Sequence, residues 1–276
     1  MIQDIEPKHL DNHYENKSPR PQDAALCFSP AGEVFCRAAA DGSLEFPRFD
    51  ALPEGTAASY LFAIDDERYF LIPEGTPLPE GFSTRSLRQL RRLRPMADDR
   101  VYAAYTGYHL WKWYRSSRYC GACGAATVPD ETERMLRCPV CGNQIYPRLN
   151  PAVIVGVLGG GRILVTRYRT GFAHNALVAG FTEIGETLEQ TVAREVFEET
   201  GLHVKNIRYY KSQPWGVAQD ILMGFFCEVD GDARIRMDEH ELKYAAWETP
   251  ETLELQPSDH SLTNEMMRLF KQGKVR

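Results

Sequence analysis

The chain has no hydrophobic run long enough to cross a membrane. Its most apolar stretch, around Ala152 to Leu158, falls well short of the ~20 residues a spanning helix needs. The opening residues, MIQDIEPKHLDNHYENKSPRPQ, are polar and acidic and lack the apolar segment of a secretory leader. Positive charge is not in excess either: 32 Lys and Arg face 38 Asp and Glu, a formal net charge of −6. That balance argues against a dedicated nucleic-acid scaffold. One basic run, Arg85 to Arg94 in STRSLRQLRRLR, reads as a solvated helix face rather than a polyanion groove. Internal repeats and low-complexity tracts are absent. Cysteine is sparse, and Cys27, Cys36 and Cys227 follow no motif spacing. An odd, unpatterned set points to reduced thiols, hence to a cytoplasmic chain with no membrane partner.

The other four cysteines are patterned. Cys120-x-x-Cys123 precedes Cys138-x-x-Cys141 by fourteen residues, with Gly121, Gly124 and Gly142 where each knuckle must bend. Four thiolates close a tetrahedral shell around one Zn²⁺ and leave no open position for water, so the expected zinc is structural. A redox site would need one pair only, and a disulfide framework would need an oxidising compartment.

The second dense signal is GFTEIGETLEQTVAREVFEETGL, Gly180 to Leu202. Leu188, Val192 and Val196 recur at helical spacing, which marks one buried stripe, and Gly201 supplies a stop. Glu195, Glu198 and Glu199 stand at i, i+3 and i+4 and share a face away from that stripe. Like charges so placed repel by roughly 0.2–0.5 kcal/mol per pair on an isolated helix. Hard cations with oxygen ligands turn that cost into a binding site, and Mg²⁺ commonly pairs carboxylates with substrate phosphates. Arg194, four residues before Glu198 and eight after Glu186, suits a structural clamp between loop and helix.

Between these signals the chain divides. Residues 23 to about 75 alternate apolar runs (AALCFS, EVFCRA, SYLFAI, RYFLIP) with turn residues, which predicts a β-rich domain. A helix is expected from Met96 to Tyr119, leading into the cysteine ribbon. AVIVGVL and RILVTRY predict two strands around Gly159-Gly160-Gly161, with further strands near Ile207–Tyr210, Ile221–Val229 and Tyr244–Trp247. A last helix is expected from near Ser261 through Met267 and Phe270. Strands on both sides of a helix, with a closing helix, suit an α/β domain with a mixed sheet between helical layers.

The acidic segment resembles the signature of Nudix hydrolases, which cleave a nucleoside diphosphate linked to another group. The fixed positions are filled by Gly180, Glu186, Arg194, Glu195, Val196, Glu198, Glu199, Gly201 and Leu202. The order of parts, with Ser212-Gln213-Pro214-Trp215, is similar to the zinc-ribbon NADH pyrophosphatase branch. That branch continues its motif with Pro-Phe-Pro-x-Ser, where this chain has Gly216-Val217-Ala218-Gln219-Asp220. The resemblance implies a Nudix α/β/α sandwich at 149–276, a linking helix and zinc ribbon at 96–148, and an α+β N-terminal domain at 1–95. It implies two or three Mg²⁺ or Mn²⁺ ions held by Glu195, Glu198, Glu199, Glu241 and the carbonyl of Ala179. A carboxylate of the Glu198–Glu199 pair would take the proton of the attacking water. Substrate contacts carried over are Glu133, Tyr146, Phe181, Gln213 to Asp220, Thr263 and Arg88. The expected activity is hydrolysis of NAD(H) to nicotinamide mononucleotide and AMP, with NAD-capped RNA 5′ ends as a longer substrate and a homodimer as the assembly. The altered Gly216 to Asp220 segment motivates an alternative, a Nudix hydrolase of dinucleoside polyphosphates, ADP-ribose or nucleotide sugars. A non-catalytic nucleotide sensor is the remaining option, and it would predict eroded carboxylates.

Overall fold

AVIVGVL is apolar at nearly every position because both faces of its strand are covered. In the computed structural model, which describes residues 1–39, 43–91, 98–170, 174–257 and 260–275, its alternate residues enter two cores. Val153, Val155 and Val157 join Val192 and Val196 on one side, whereas Ile154 and Leu158 join Met266, Met267 and Phe270 on the other. Two compact units result: Ile2–Arg148 with Gly216–Gln219, and Leu149–Trp215 with Asp220–Arg276 and Met1.

The first unit is β-rich. The four apolar runs become β2 (Ala24–Leu26), β3 (Val34–Ala38), β5 (Ser59–Ile64) and β6 (Glu67–Leu71). Short strands β1 (Leu10–Asp11), β4 (Leu44–Glu45) and β7 (Ser83–Arg85) complete two sheets, ordered β1-β5-β6-β2 and β4-β3-β7. The basic run is therefore not one helix face: it is β7 followed by a single turn, α1 (Leu87–Leu90), and Arg92 to Arg94 lie outside the described residues. Ser86 caps that turn and Gln89 returns the bond, so local capping rather than length sustains it. The long helix α2 spans Asp98–Ser116. It stops short of the expected Tyr119, which instead bridges Ala126 in the ribbon, and Met96 lies outside the described residues. The ribbon itself is β8 (Val128–Pro129), β9 (Leu136–Arg137) and β10 (Gln144–Ile145), all antiparallel.

The second unit holds a six-stranded mixed sheet. Its strands are β11 (Asn150–Gly159), β12 (Arg162–Tyr168), β13 (Val178–Phe181), β14 (Val204–Trp215), β15 (Asp220–Val229) and β16 (Leu242–Glu248). The order is β14-β15-β11-β12-β16, with β13 pairing the first half of β11. In this sheet, among the described residues, only β11 and β15 pair in parallel. Helices α3 (Leu188–Thr200) and α4 (Leu262–Lys271) cover opposite faces, the expected α/β/α arrangement. The strand expected near Ile207–Tyr210 is twelve residues long and carries Ser212 to Trp215 at its end.

Candidate active site

Helix α3 is fixed at both ends by its own sequence. The Thr187 side chain accepts from the Gln190 N–H while Gln190 accepts from the Thr187 N–H, and Gly201 closes the helix in the left-handed region. The helix lies against β13, and there Gly180 is required by close approach. A Cβ at Gly180 would overlap the Glu195 carboxylate, which fills the space a side chain would take. Arg194 ties the preceding loop to the helix: Nε and one amino group donate to Glu186 at 2.6 and 2.9 Å, and the same amino group reaches the Phe181 carbonyl at 2.9 Å. Its other amino group donates to Glu195 at 2.8 Å and Glu198 at 3.0 Å. The bonds from Arg194 hold the Glu186 carboxyl down at about 2.

The three helix glutamates share a face but not an environment. Glu198 is exposed, whereas Glu199 retains only 2% of its surface, which corrects the expectation of an open acidic face. Tyr168, at the end of β12, reaches it there, its hydroxyl donating to Glu199 Oε1 at 3.0 Å. Burial pushes the Glu199 carboxyl up to about 8 despite that bond, and the charges of Glu195 and Glu241 push the same way. Burial also raises Glu195, with Glu198 and Glu241 adding to it. Glu241 is exposed immediately before β16, where its carbonyl accepts from the Arg169 N–H.

Crowded, half-desolvated carboxylates beside the Ala179 strand carbonyl form an all-oxygen donor set, which fits a hard divalent cation. Among the described residues only the four cysteines form a group of three or more ligands mutually within 4.8 Å. The box carboxylates stand wider, with Glu195 and Glu198 turned to Arg194 and Glu199 to Tyr168.

The ribbon cysteines meet as their spacing requires. Sγ of Cys120 lies 3.6 Å from that of Cys141, and Sγ of Cys123 lies 3.4 Å from that of Cys138. A tetrahedron with Zn–S of about 2.3 Å has edges of about 3.8 Å, so the four thiols nearly outline one. The first cysteine of each knuckle is the easier to ionise. Backbone N–H groups of Ala122 and Cys123 bring Cys120 down to about 6, and those of Cys141 and Val140 lower Cys138.

The substrate contacts carried over from the sequence are divided between the two units. Phe181 presents an exposed ring beside the box. Glu133 and Tyr146 come together on the ribbon surface, the tyrosine hydroxyl donating at 2.7 Å. Arg88 is exposed on α1, and Thr263 sits on the first turn of α4. Gln213 is fully buried, its amide donating to the His260 carbonyl and accepting from the Leu262 N–H, and so anchors the start of α4. Pro214 and Trp215 pair with Ile221 and Asp220 across the hairpin. The turn Gly216 to Gln219 groups with the first unit, and Val217 and Ala218 are its exposed residues. A Cβ at Gly216 would overlap the Tyr105 carbonyl of α2, so the proline that the family motif has here has no room. Tyr168 escaped the sequence reading. Strand alternation puts it on the face of Leu164, which packs toward α3, and that was the available signal.

Comparison with known proteins agrees with this geometry. The NUDIX domain family matches residues 148–270, and the NADH pyrophosphatase zinc ribbon domain matches residues 115–146. A protein of Yersinia enterocolitica described as NAD-capped RNA hydrolase NudC is 36% identical over 211 residues, covering 75% of this chain and 80% of its own. One of the same description from Citrobacter koseri is 38% identical over 213 residues, covering 75% and 81%. Its Escherichia coli counterpart is 43% identical over 154 residues, covering 55% and 59%. Mixed sheet, acidic helix and cysteine ribbon together define a Nudix pyrophosphohydrolase, an enzyme that hydrolyses a diphosphate bond. The chain belongs to the zinc-ribbon NADH pyrophosphatase family.

Proposed function

We propose that the enzyme hydrolyses the diphosphate of NAD(H), releasing nicotinamide mononucleotide and AMP, and the same bond at NAD-capped RNA 5′ ends. The observation that carries this reading is the packing of Glu195 into the cradle of Gly180 beside buried Glu199, on a chain similar to NAD-capped RNA hydrolases. Glu195, Glu198, Glu199, Glu241 and the Ala179 carbonyl would hold Mg²⁺ or Mn²⁺. Bound there, such ions neutralise charge on the diphosphate and lower the pKa of an attacking water. Arg194 holds Glu195 and Glu198 from the loop side, and one of the paired carboxylates Glu198 and Glu199 accepts the proton of that water. Phe181 is free to stack on a base, an interaction worth roughly 1–3 kcal/mol in single-strand binders. The four cysteines would carry one structural Zn²⁺.

Gly216, where the Tyr105 carbonyl excludes the family's proline, favours a second reading with another nucleoside diphosphate derivative as the preferred substrate. Specificity constants with Mn²⁺ for NADH, NAD-capped RNA, ADP-ribose, diadenosine polyphosphates and a nucleotide sugar separate the two. The first reading expects NADH and capped RNA to lead. A nucleotide sugar or polyphosphate leading by tenfold or more would replace it.

A further inference from the structure

Tyr168 is bonded to two groups of the proposed cation site at once. Its hydroxyl lies 3.0 Å from Glu199 Oε1, 3.4 Å from Oε2 and 3.1 Å from the Ala179 nitrogen. It is also 3.4 Å from the Ala179 carbonyl oxygen. A phenol has one proton to give. The shorter contact directs that proton to Glu199. The lone pairs accept from the Ala179 N–H, which leaves the Ala179 carbonyl uncommitted by this bond.

The backbone explains how a strand-end tyrosine reaches this spot. Beyond the bridge between Thr166 and Ala176, β12 and β13 are no longer bridged, and the Tyr168 side chain spans from the first strand to Ala179 on the second. On the other edge of β12, Arg167 pairs with Tyr244 and Tyr168 with Leu242, so Lys243 is an extra residue in β16. Bulges of this kind bend a strand and re-aim its side chains, and they concentrate next to active sites. This one lies beside Tyr168 and two residues after Glu241, another of the proposed ligands.

We propose that Tyr168 is a positioning residue that holds the Glu199 carboxylate and the Ala179 peptide in the arrangement a divalent cation needs. The inference rests on the proposed cation site and adds the group that preorganises it. Outer-shell partners of metal ligands commonly contribute 10–100-fold to affinity.

The test is direct binding of Mn²⁺ to the full-length, zinc-loaded protein, with free Mn²⁺ followed by electron paramagnetic resonance and no substrate present. Tyr168→Phe should weaken binding about tenfold, and Tyr168→Met, which fills the volume without a donor, should match it. In a Glu199→Ala background the same substitution should lose most of its effect, leaving at most a twofold loss through the Ala179 peptide, because the carboxylate it acts on is gone. A purely structural tyrosine would lower the thermal midpoint and leave Mn²⁺ affinity within twofold, which overturns the inference. An equal loss in both backgrounds overturns it as well. If Glu199→Gln alone binds as wild type does, the cation site itself is misplaced and both readings fall. If Glu199→Gln loses binding while Tyr168→Phe retains it, only the role of Tyr168 falls.

Discussion

Gly180 and Glu195 are matched: one lacks a side chain so that the other can place its carboxylate. In Gly180→Ala the overlapping atoms belong to the movable end of Glu195, so the chain should stay folded, within about 1 kcal/mol of wild type. The carboxylate, however, is displaced, and misplacement on the ångström scale can cost about 100-fold in rate. A turnover assay paired with denaturant unfolding checks both halves. Glu199 carries a second prediction. In the folded chain its carboxyl keeps a proton up to about pH 8, whereas the ordinary value is 4.5. Unfolding therefore releases that proton between those values. Stability of the cation-free protein is highest below the window and falls as pH rises through it, by a few kcal/mol at most. Glu199→Gln should flatten that slope in unfolding measurements at pH 5 and pH 8, and an unchanged slope would show that another group sets it. At this scale the helix carboxylates proposed to hold cations were legible because their spacing is local. The bond between Tyr168 and Glu199 was not, because it joins residues thirty-one positions apart on different elements. Nor was the role of Gln213, whose partners His260 and Leu262 come together only through the fold.

Among the elements, α3 was the most legible, since its stripe, cap and stop are all written within a few residues of one another. Its Thr187–Gln190 box should be worth about 1 kcal/mol, so Thr187→Ala should lower the thermal midpoint by a few degrees and raise hydrogen exchange in the first turn. Buried strands flanked by glycines, such as β11 and β12, were equally readable. The long β14 was less so: most of VKNIRYYKSQPW is half-buried and the strand is interrupted by two register shifts, so no period of two survives. Short β13 hides for another reason. Four residues including a glycine carry little pattern, and the strand exists through its pairing with β11.

For the whole molecule, two compact units divide the chemistry: one carries the carboxylates, the other the cysteine ribbon. The ribbon strands are two residues each, so a metal held by the four cysteines would supply much of their order. Elemental analysis should find one zinc per chain in the wild type and essentially none in Cys138→Ser. Hydrogen exchange across Tyr119 to Ile145 should rise by at least tenfold in that variant, and native-like protection without zinc would refute a structural metal. The order of parts along the chain was legible from motifs alone, because ribbon and box are compact signatures. The grouping of Gly216 to Gln219 with the first unit was not, because it follows from a close approach to α2 that no local pattern encodes.

Side-by-side incubation of the wild type and Glu199→Gln with NADH and saturating Mn²⁺, products resolved by chromatography, tests the central claim most directly. The account predicts equimolar AMP and reduced nicotinamide mononucleotide from the wild type. Glu199→Gln should lose about a thousandfold in rate while keeping its zinc and its thermal midpoint. Turnover of the variant within tenfold of wild type, or products other than these two, would contradict it.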